Sequence, residues 1–355
     1  MKILKRMLQI ILGSVVTVIF ILGVFLFYIN SKDYLPEAVE ELQVIHKTNR
    51  PINGNSFELI SWNIGYAGLG KEMDFFYDGG KKSRSTLPEM QRYLEGIKAF
   101  ISSEKTADFW LFQEVDFKAN RTYGLDQSSE LAHTLSDFNY VTAINYEVPF
   151  VPVPVTSPMG QVRAGMMSLS AFSPRLSRRY AYPLIAGWPD RMFLLDRCFI
   201  ELRFTIAPGR ELIVLNTHNS AFVDNQRLMD QELAVIRDKM QREYELGNYV
   251  IAGGDWNMNP PVFIPSDNYN GHRHEAAAVK FDASFLPEGW KFNFDRSVPT
   301  NRALHQSYIK GDNATATIDF FITSPNISVV DMEAIDLGFV HSDHNPVRIK
   351  ILLQE

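Results

Sequence analysis

The amino-acid sequence predicts an α+β protein with a layered sandwich core, preceded by one N-terminal transmembrane helix. Eight short apolar runs have the length and composition of β-strands, whereas only two segments show the periodicity of an amphipathic helix. Because these strands do not alternate regularly with helices, packed sheets are favoured over a strict strand–helix–strand alternation. No proline- or glycine-rich linker interrupts residues 56–355, so we expect a single domain there.

The composition is that of an ordinary globular protein and excludes several classes. Of 355 residues, 46% are hydrophobic and 21% are charged, which excludes intrinsic disorder and collagen-like repeats. The single cysteine, Cys198, excludes an internal disulfide framework and a multi-cysteine zinc site. The net charge is −6, and since residues 1–30 contribute +3, the remainder carries −9. A domain this acidic has no overall field that attracts polyanions, which disfavours nonspecific nucleic-acid binding.

Residues 10–29 are twenty uncharged residues, a stretch that would form a helix of about 30 Å, long enough to cross a bilayer. Lys2, Lys5 and Arg6 precede it, so by the positive-inside rule the N-terminus stays in the cytoplasm and the rest is exported. We therefore predict a single-pass signal-anchor over residues 1–30. Two alternatives stay open: a buried helix, and a cleaved signal peptide, which would have a shorter apolar core and a small-x-small site after it.

Residues 31–55 are predicted to form a juxtamembrane stalk, and the domain begins at residue 56. Apolar periodicity predicts helices over residues 87–103 and 225–245. The strand-like runs cover residues 57–63, 108–115, 166–172, 198–206, 211–218, 248–256, 317–323 and 347–353.

Several of these strand-like runs end in carboxylates, amides and imidazoles instead of turn residues. They are Asn63, Glu114, Asn216, His218, Asp255 and Asn257, with Asp319 inside a run and Asp343 and His344 just before the last one. If the strands lie side by side in two packed sheets, their ends converge on one rim. Three or four carboxylates at one rim would repel each other and take up protons unless a cation balanced them. An oxygen-rich, thiol-free set favours Mg²⁺ or Mn²⁺ over zinc.

Six short motifs that contain these residues resemble, in order, those of the endonuclease/exonuclease/phosphatase (DNase I-like) superfamily. They are SWNIG (61–65), LFQEVD (111–116), LNTHN (215–219), GGDWNMNP (253–260), TIDFFI (317–322) and HSDHNPV (341–347). The superfamily includes DNase I-like nucleases, abasic-site endonucleases, neutral sphingomyelinases and inositol polyphosphate 5-phosphatases. The resemblance covers residues 57–353 and implies a four-layered α/β/β/α sandwich that catalyses metal-dependent phosphoester hydrolysis.

The same resemblance implies a metal site formed by Asn63, Glu114 and Asp343, with Glu114 as the principal ligand. Two positions depart from the pattern. Some nucleases of the superfamily carry an acid two residues after the first asparagine, where this chain has Gly65, so a ligand is missing or a single metal suffices. The residue after the motif histidine is usually apolar, but here it is Asn219.

The catalytic residues implied by the resemblance are His218, Asp255, Asn257, Asp319 and His344. His218 would donate a hydrogen bond to the phosphate, and Asp255 would orient or deprotonate the attacking water. Asn257 would hold a phosphate oxygen. Asp319 would accept a hydrogen bond from His344 and fix its tautomer, so that His344 contacts the scissile phosphate. Such roles suit the chemistry, because phosphodiester oxygens are anionic and repel a nucleophile until positive groups offset their charge.

Two segments are candidates for substrate contact. Residues 66–85 form a glycine-rich, aromatic and locally basic loop, which is either a phosphate clamp or an ordinary surface loop. Residues 146–165 are proline-rich and apolar, and would flank the cleft or face the bilayer. The basic residues concerned are Lys81, Lys82, Arg84 and Arg163.

Three functions remain open at this stage. The first is a membrane-tethered phosphodiesterase or phosphatase that acts outside the cytoplasm on a phospholipid headgroup or another small phosphoester, which the anchor and the acidic charge favour. The second is a surface nuclease that acts on DNA or RNA, and the third is a non-catalytic binding module with the same fold. The complete set of motif residues argues against the third, and nothing in the sequence implies an obligate protein partner.

Overall fold

The computed structural model describes residues 2–354 except 105, 185, 222–225, 268, 276–280 and 283. Four α-helices lie in this part of the chain: α1 (Lys2–Asn30), α2 (Leu87–Ser103), α3 (Gln127–Thr134) and α4 (Gln226–Glu245). The strands are β1 (Val39–Glu41), β2 (Ser56–Asn63), β3 (Phe109–Ala119), β4 (Asn139–Val151), β5 (Gly160–Ser170), β6 (Leu176–Ala181), β7 (Cys198–Ala207), β8 (Arg210–His218), β9 (Tyr249–Asp255), β10 (Arg273–His274), β11 (Lys291–Asn293), β12 (Asn301–Arg302), β13 (Ala314–Ala316), β14 (Asp319–Thr323), β15 (Ile327–Ala334) and β16 (Val347–Leu353).

Two large mixed sheets pack face to face. The described strands of one are ordered β1-β6-β7-β8-β9-β14-β11, and those of the other β15-β16-β2-β3-β5-β4. Between them lies a core of buried apolar side chains, to which Leu59 and Phe109 contribute from one sheet and Ile200 and Val214 from the other. Burial of apolar area on this scale is the main term that stabilises such a sandwich.

Helices cover the outer face of each sheet. Tyr93 and Ile97 of α2 pack on Trp62 and Trp110, while Ile236 of α4 belongs to a second cluster on the other sheet. Helix α2 begins with a capping box, in which the Thr86 hydroxyl accepts from the backbone N–H of Glu89 and the Glu89 carboxylate accepts from that of Thr86. The order helix, sheet, sheet, helix confirms the four-layered α/β/β/α sandwich.

Each predicted strand and helix has a counterpart in the structure, with ends shifted by a few residues; residue 225 of the second predicted helix lies outside the described residues. Strand β4 was not predicted, and the proline-rich segment of residues 146–165 had been expected only to flank the cleft or face the bilayer. The segment instead ends β4, turns, and begins β5. Since β4 is an edge strand, Pro149 can lack a backbone N–H there at little cost.

The N-terminal helix α1 is long and apolar enough to span a bilayer, with a mean hydropathy of 2.9, and its apolar stretch is not buried against the domain. A signal sequence near an N-terminus has the same properties. The predicted stalk, residues 31–55, lies partly against the domain: β1 pairs with β6, Ile45 forms a β-bridge with Tyr140, and Ile52 is buried in the core. The boundaries of stalk and domain stay a prediction.

Candidate active site

The strand order places four of the predicted site residues along one rim of the sandwich. Strand β9 lies between β8 and β14, and the register pairs Asp255 with His218 on one side and with Asp319 on the other. Asn63 ends β2 of the facing sheet. Because paired residues project to the same face of a sheet, these side chains meet where the two sheets face each other.

Asn63 connects the two sheets at this rim. Its fully buried side-chain amide donates to Glu114 Oε1 at 3.1 Å and to Asp255 Oδ2 at 2.9 Å. Glu114 is on β3 at an irregularity in the pairing with β5, and its φ of 53° lies in the left-handed region. A non-glycine residue rarely adopts this conformation, and such local strain concentrates at functional positions. The irregularity turns the Glu114 carboxylate towards the facing sheet.

His344 and Asp319 form a buried pair. His344 Nδ1 lies 2.8 Å from Asp319 Oδ2, and the side-chain amide of Asn301 contacts His344 Nε2 at 2.9 Å. Burial alone would lower the pKa of His344, but the carboxylates of Asp319 and Asp255 outweigh it and hold this pKa well above its usual range. This raised pKa favours the imidazolium form of His344, in which Nδ1 donates the predicted hydrogen bond to Asp319 and Nε2–H would face the oxygen of the Asn301 amide.

His218, in contrast, is held in the neutral form. Burial, with smaller contributions from the positive charges of Arg197 and His344, holds the pKa of His218 well below its usual range. Its Nε2 lies 3.4 Å from Asp255 Oδ2, while its buried Nδ1 has no hydrogen-bond partner among the described residues. The rim thus combines one neutral and one cationic imidazole on either side of Asp255.

The carboxylates of this rim fit a hard divalent cation. Burial, aided by the charge of Asp319, raises the pKa of Asp255 to about 6. Burial also raises the pKa of Asp343 to about 7, and the Glu114 charge contributes. Ligand atoms of Asp255, Asp319 and His344 all lie within 4.8 Å of one another, and the buried Asp319 Oδ1 has no hydrogen-bond partner among the described residues. Mg²⁺ and Mn²⁺ prefer carboxylate oxygens as ligands, and either cation would offset the mutual repulsion of these carboxylates.

The group of closest ligand atoms differs from the predicted metal set of Asn63, Glu114 and Asp343. His344 and Asp319 already bond to each other, and the assignment of Glu114 and Asp343 as metal ligands stays a prediction. Asp343 Oδ2 lies 4.0 Å from His344 Nε2, and Glu114 Oε1 lies 3.9 Å from His218 Nε2, so both carboxylates border the cluster.

Comparison with solved structures identifies the fold. No protein-family model and no curated protein sequence matches the chain. An endonuclease/exonuclease/phosphatase from Beutenbergia cavernae is 14% identical with a TM-score of 0.55, over 84% of this chain and 72% of that one. The chain has the endonuclease/exonuclease/phosphatase fold. The human Nocturnin catalytic domain with bound sulfate is 13% identical with a TM-score of 0.53, over 88% of this chain and 97% of that one.

A further structure of the endonuclease/exonuclease/phosphatase fold is that of ANGEL2, a 2′,3′-cyclic phosphatase, in complex with adenosine-2′,3′-vanadate. It is 14% identical with a TM-score of 0.52, and the match covers 89% of this chain and 99% of that one. At this identity the likeness establishes the fold alone.

The two departures from the motifs of this fold have structural reasons. Gly65 has a φ of 49°, and a Cβ there would lie 2.7 Å from Asp343 Oδ1, so the Asp343 carboxylate occupies the space that an acid at this position would need. Asn219 accepts a hydrogen bond from Thr217 Oγ1 at 2.8 Å, and its backbone carbonyl accepts one from Asn257 Nδ2 at 2.8 Å. The polar side chain of Asn219 is thus bonded to Thr217 and, at 3.5 Å, to Glu232, whereas the bond to Asn257 uses a backbone carbonyl that any residue at this position would supply.

Sequence reasoning missed Asn301. It lies on β12, outside the six motifs, and an isolated β-bridge to His344 brings it to the imidazole. Asn216 was expected to line the pocket, but its side chain is instead bonded to residues of the facing sheet. Its Oδ1 accepts from Gln113 Nε2 at 2.7 Å, and its Nδ2 donates to Ser168 Oγ at 3.1 Å. Asn216 is thus a buried polar link between the sheets.

The predicted substrate-contacting bases have partners elsewhere. Lys82 pairs with Asp74 at 3.7 Å within its own loop. Arg84 donates to the carbonyl of Asn120 at 3.0 Å, and Arg163 pairs with Glu147 at 3.5 Å. Lys81 is exposed. Their contact with substrate stays a prediction.

Proposed function

We propose that this protein is a metal-dependent phosphoester hydrolase whose active site is the rim formed by Asn63, Glu114, His218, Asp255, Asn257, Asp319, Asp343 and His344. The observation that carries this proposal is the buried array around Asp255, with a neutral imidazole on one side and an imidazolium on the other. A structural role for so many buried ionisable groups would be costly, because each carboxylate loses solvation without gaining apolar contacts.

Each residue has a distinct part in hydrolysis. A cation held by Glu114 and Asp343 would neutralise charge on a phosphate oxygen. Asp255, with a pKa raised to about 6, accepts the proton of the attacking water near neutral pH. His344, kept cationic by Asp319, donates a hydrogen bond to a phosphate oxygen on which charge accumulates. Neutral His218 donates to another such oxygen.

The substrate is a small phosphoester or a phospholipid headgroup outside the cytoplasm, and the N-terminal helix is the membrane anchor. The charge of −9 on residues 31–355 supports a small or lipid-borne substrate over nucleic acid. The bound sulfate in Nocturnin and the vanadate in ANGEL2 support a phosphate-like ligand at this fold.

The test is a panel of phosphoesters with the purified full chain in detergent. It contains a soluble nitrophenyl phosphodiester, the matching monoester, phosphatidylcholine in mixed micelles, and plasmid DNA, each with Mg²⁺, Mn²⁺ or EDTA. We expect a metal-dependent release of product that falls about a hundredfold or more in Glu114→Gln and in Asp255→Asn. The matched control is Asp238→Asn, which removes an exposed carboxylate of α4.

Unchanged turnover in folded Asp255→Asn would overturn the proposed mechanism. Exclusive activity on plasmid DNA would favour the surface nuclease instead. No turnover of any ester, together with no heat of Mg²⁺ or Mn²⁺ binding in calorimetry, would favour a non-catalytic module.

A further inference from the structure

We propose that two uncharged loops beside the end of α1 form a surface that inserts into the outer leaflet of the bilayer and holds the rim of the active site at the membrane. We call this the apolar loop surface and define it by five exposed or partly exposed side chains. They are Phe150, Val153, Val155, Leu184 and Trp188.

The apolar loop surface is unusual in its exposure and its lack of charge. Residues 148–160 and 181–189 contain no Asp, Glu, Lys or Arg. Val155 is 87% exposed and Trp188 is 61% exposed. Clustered apolar side chains of this kind mark a contact surface, and tryptophan in particular prefers the interface between water and lipid.

The contacts of α1 identify the bilayer as the partner. The ring of Phe25 packs edge-on against Phe150 at 6.3 Å and stacks on Phe193 at 6.4 Å, so the last turns of the apolar helix touch the first loop and the short helix directly after the second loop. Arg191 forms an ion pair with Asp33 at 3.0 Å directly beyond the helix, which balances both charges near the surface. A bilayer that contains α1 therefore continues onto these loops, whereas a soluble partner would have to share the space with lipid.

The apolar loop surface is connected to the candidate active site. Tyr77 belongs to the loop of residues 66–85, and its hydroxyl donates to the carbonyl of Val153 at 2.8 Å. In the same loop, the carbonyl of Gly70 accepts from Arg302 Nη2 at 2.8 Å, and the backbone N–H of Arg302 donates to the carbonyl of Asp343 at 3.0 Å. The loop thus contacts the tip of the surface at Tyr77 and is joined through Arg302 to the acidic rim at Asp343. If the proposed hydrolase activity holds, its substrate class is a phosphoester carried by a membrane lipid.

Membrane contact can be measured without any activity. The full chain is reconstituted into phosphatidylcholine vesicles with and without brominated acyl chains, after Val155→Cys is labelled with an environment-sensitive fluorophore; the single native cysteine, Cys198, is buried. The matched control is Leu246→Cys, since Leu246 is 62% exposed and lies before β9, at the end of that strand opposite Asp255.

We expect blue-shifted emission and about twofold or stronger quenching by brominated lipid at position 155, and neither at position 246. Intrinsic fluorescence gives a second reading, because Trp188→Phe should remove most of the lipid quenching of the unlabelled protein. Equal, water-like signals at both labelled positions would overturn the proposal.

The link to the substrate has its own readout. In Val155→Asp and Trp188→Asp, we expect the ratio of vesicle-borne ester hydrolysis to soluble ester hydrolysis to fall about tenfold, since burying a carboxylate in lipid is costly. A ratio equal to that of the wild type would refute the lipid-borne substrate while leaving the hydrolase proposal standing. Loss of both hydrolytic activities in Asp255→Asn, with lipid contact at position 155 intact, would show that catalysis and membrane contact depend on different residues.

Discussion

Asp319→Asn tests the most specific feature of the site, the charge that holds His344 as an imidazolium. The substitution keeps the size of the side chain and leaves an oxygen that can accept from His344 Nδ1, now 2.8 Å from Asp319 Oδ2. It removes one negative charge from a buried position. The change is therefore electrostatic, and the sandwich is expected to fold as before.

The structure sets the expected size of the effect. A hydrogen bond to a charged partner stabilises by about 1.5–3 kcal/mol and a neutral one by about 0.5–1.5 kcal/mol, so the substitution loses about 1–2 kcal/mol. If this loss falls on the transition state, where His344 faces developing charge, kcat falls about 5- to 30-fold. The same change lowers the pKa of His344, because the carboxylate of Asp319 is the largest influence that raises it.

The assay is kcat against pH for the soluble phosphodiester at saturating Mg²⁺, with circular dichroism melts as a control for folding. Wild-type activity should decline on the alkaline side where His344 loses its proton, and this decline should move to lower pH in Asp319→Asn. The direction follows from the sign of the shift, since a lowered pKa means that the imidazolium is lost earlier as pH rises. An unchanged kcat with an unchanged alkaline limb would refute the role of the pair.

Two further predictions concern stability. Burial raises the pKa of Asp343 to about 7 and that of Asp255 to about 6, above their values in the unfolded chain. Without metal, the folded state therefore binds protons more tightly than the unfolded state. The free energy of unfolding should then decrease as pH rises from about 4 to about 7. Thermal melts with EDTA should show this decline and saturating Mg²⁺ should remove it; identical profiles would contradict a metal at these acids. Despite burial, hydrogen bonds from Arg203 and Lys239 lower the pKa of Glu243 to about 2. The contribution of ionised Glu243 to the free energy of unfolding is therefore present above about pH 4.5 and is lost as pH falls towards 2. Glu243→Gln should cost about 1.5–3 kcal/mol at neutral pH and much less at acid pH, as measured by urea unfolding; a loss that does not depend on pH would indicate packing instead.

The sequence by itself determined the secondary structure around the site and the identity of most side chains in it. The strands that end at Asn63, His218 and Asp255 are rich in apolar residues and mostly buried, because both of their faces are covered in a four-layered sandwich. Such runs are visible without any structure. Edge strands such as β4 and β15 have fewer buried residues and carry proline or charge, which is why they were not predicted.

Only the tertiary structure decided which of these side chains touch. Asn63 and Asp255 are 192 positions apart in sequence, and the pairing order of β8, β9 and β14 brings Asp255 between His218 and Asp319. Asn301 reaches His344 through a bridge between two irregular segments, for which the sequence has no periodic signal. Strand order and side-chain contact depend on packing between distant segments, whereas apolar periodicity is a local property of the chain.

The charge states of the two histidines and the exposure of the apolar loops also depend on the tertiary structure. His218 and His344 are identical side chains, yet burial dominates the pKa of one and the Asp319 and Asp255 carboxylates that of the other. Val155 and Trp188 are apolar yet exposed, because the fold leaves their loops at its surface. The amino-acid sequence determines which groups are present. The tertiary structure determines how far each group is buried and which charges lie near it, and therefore its pKa and its exposure to solvent.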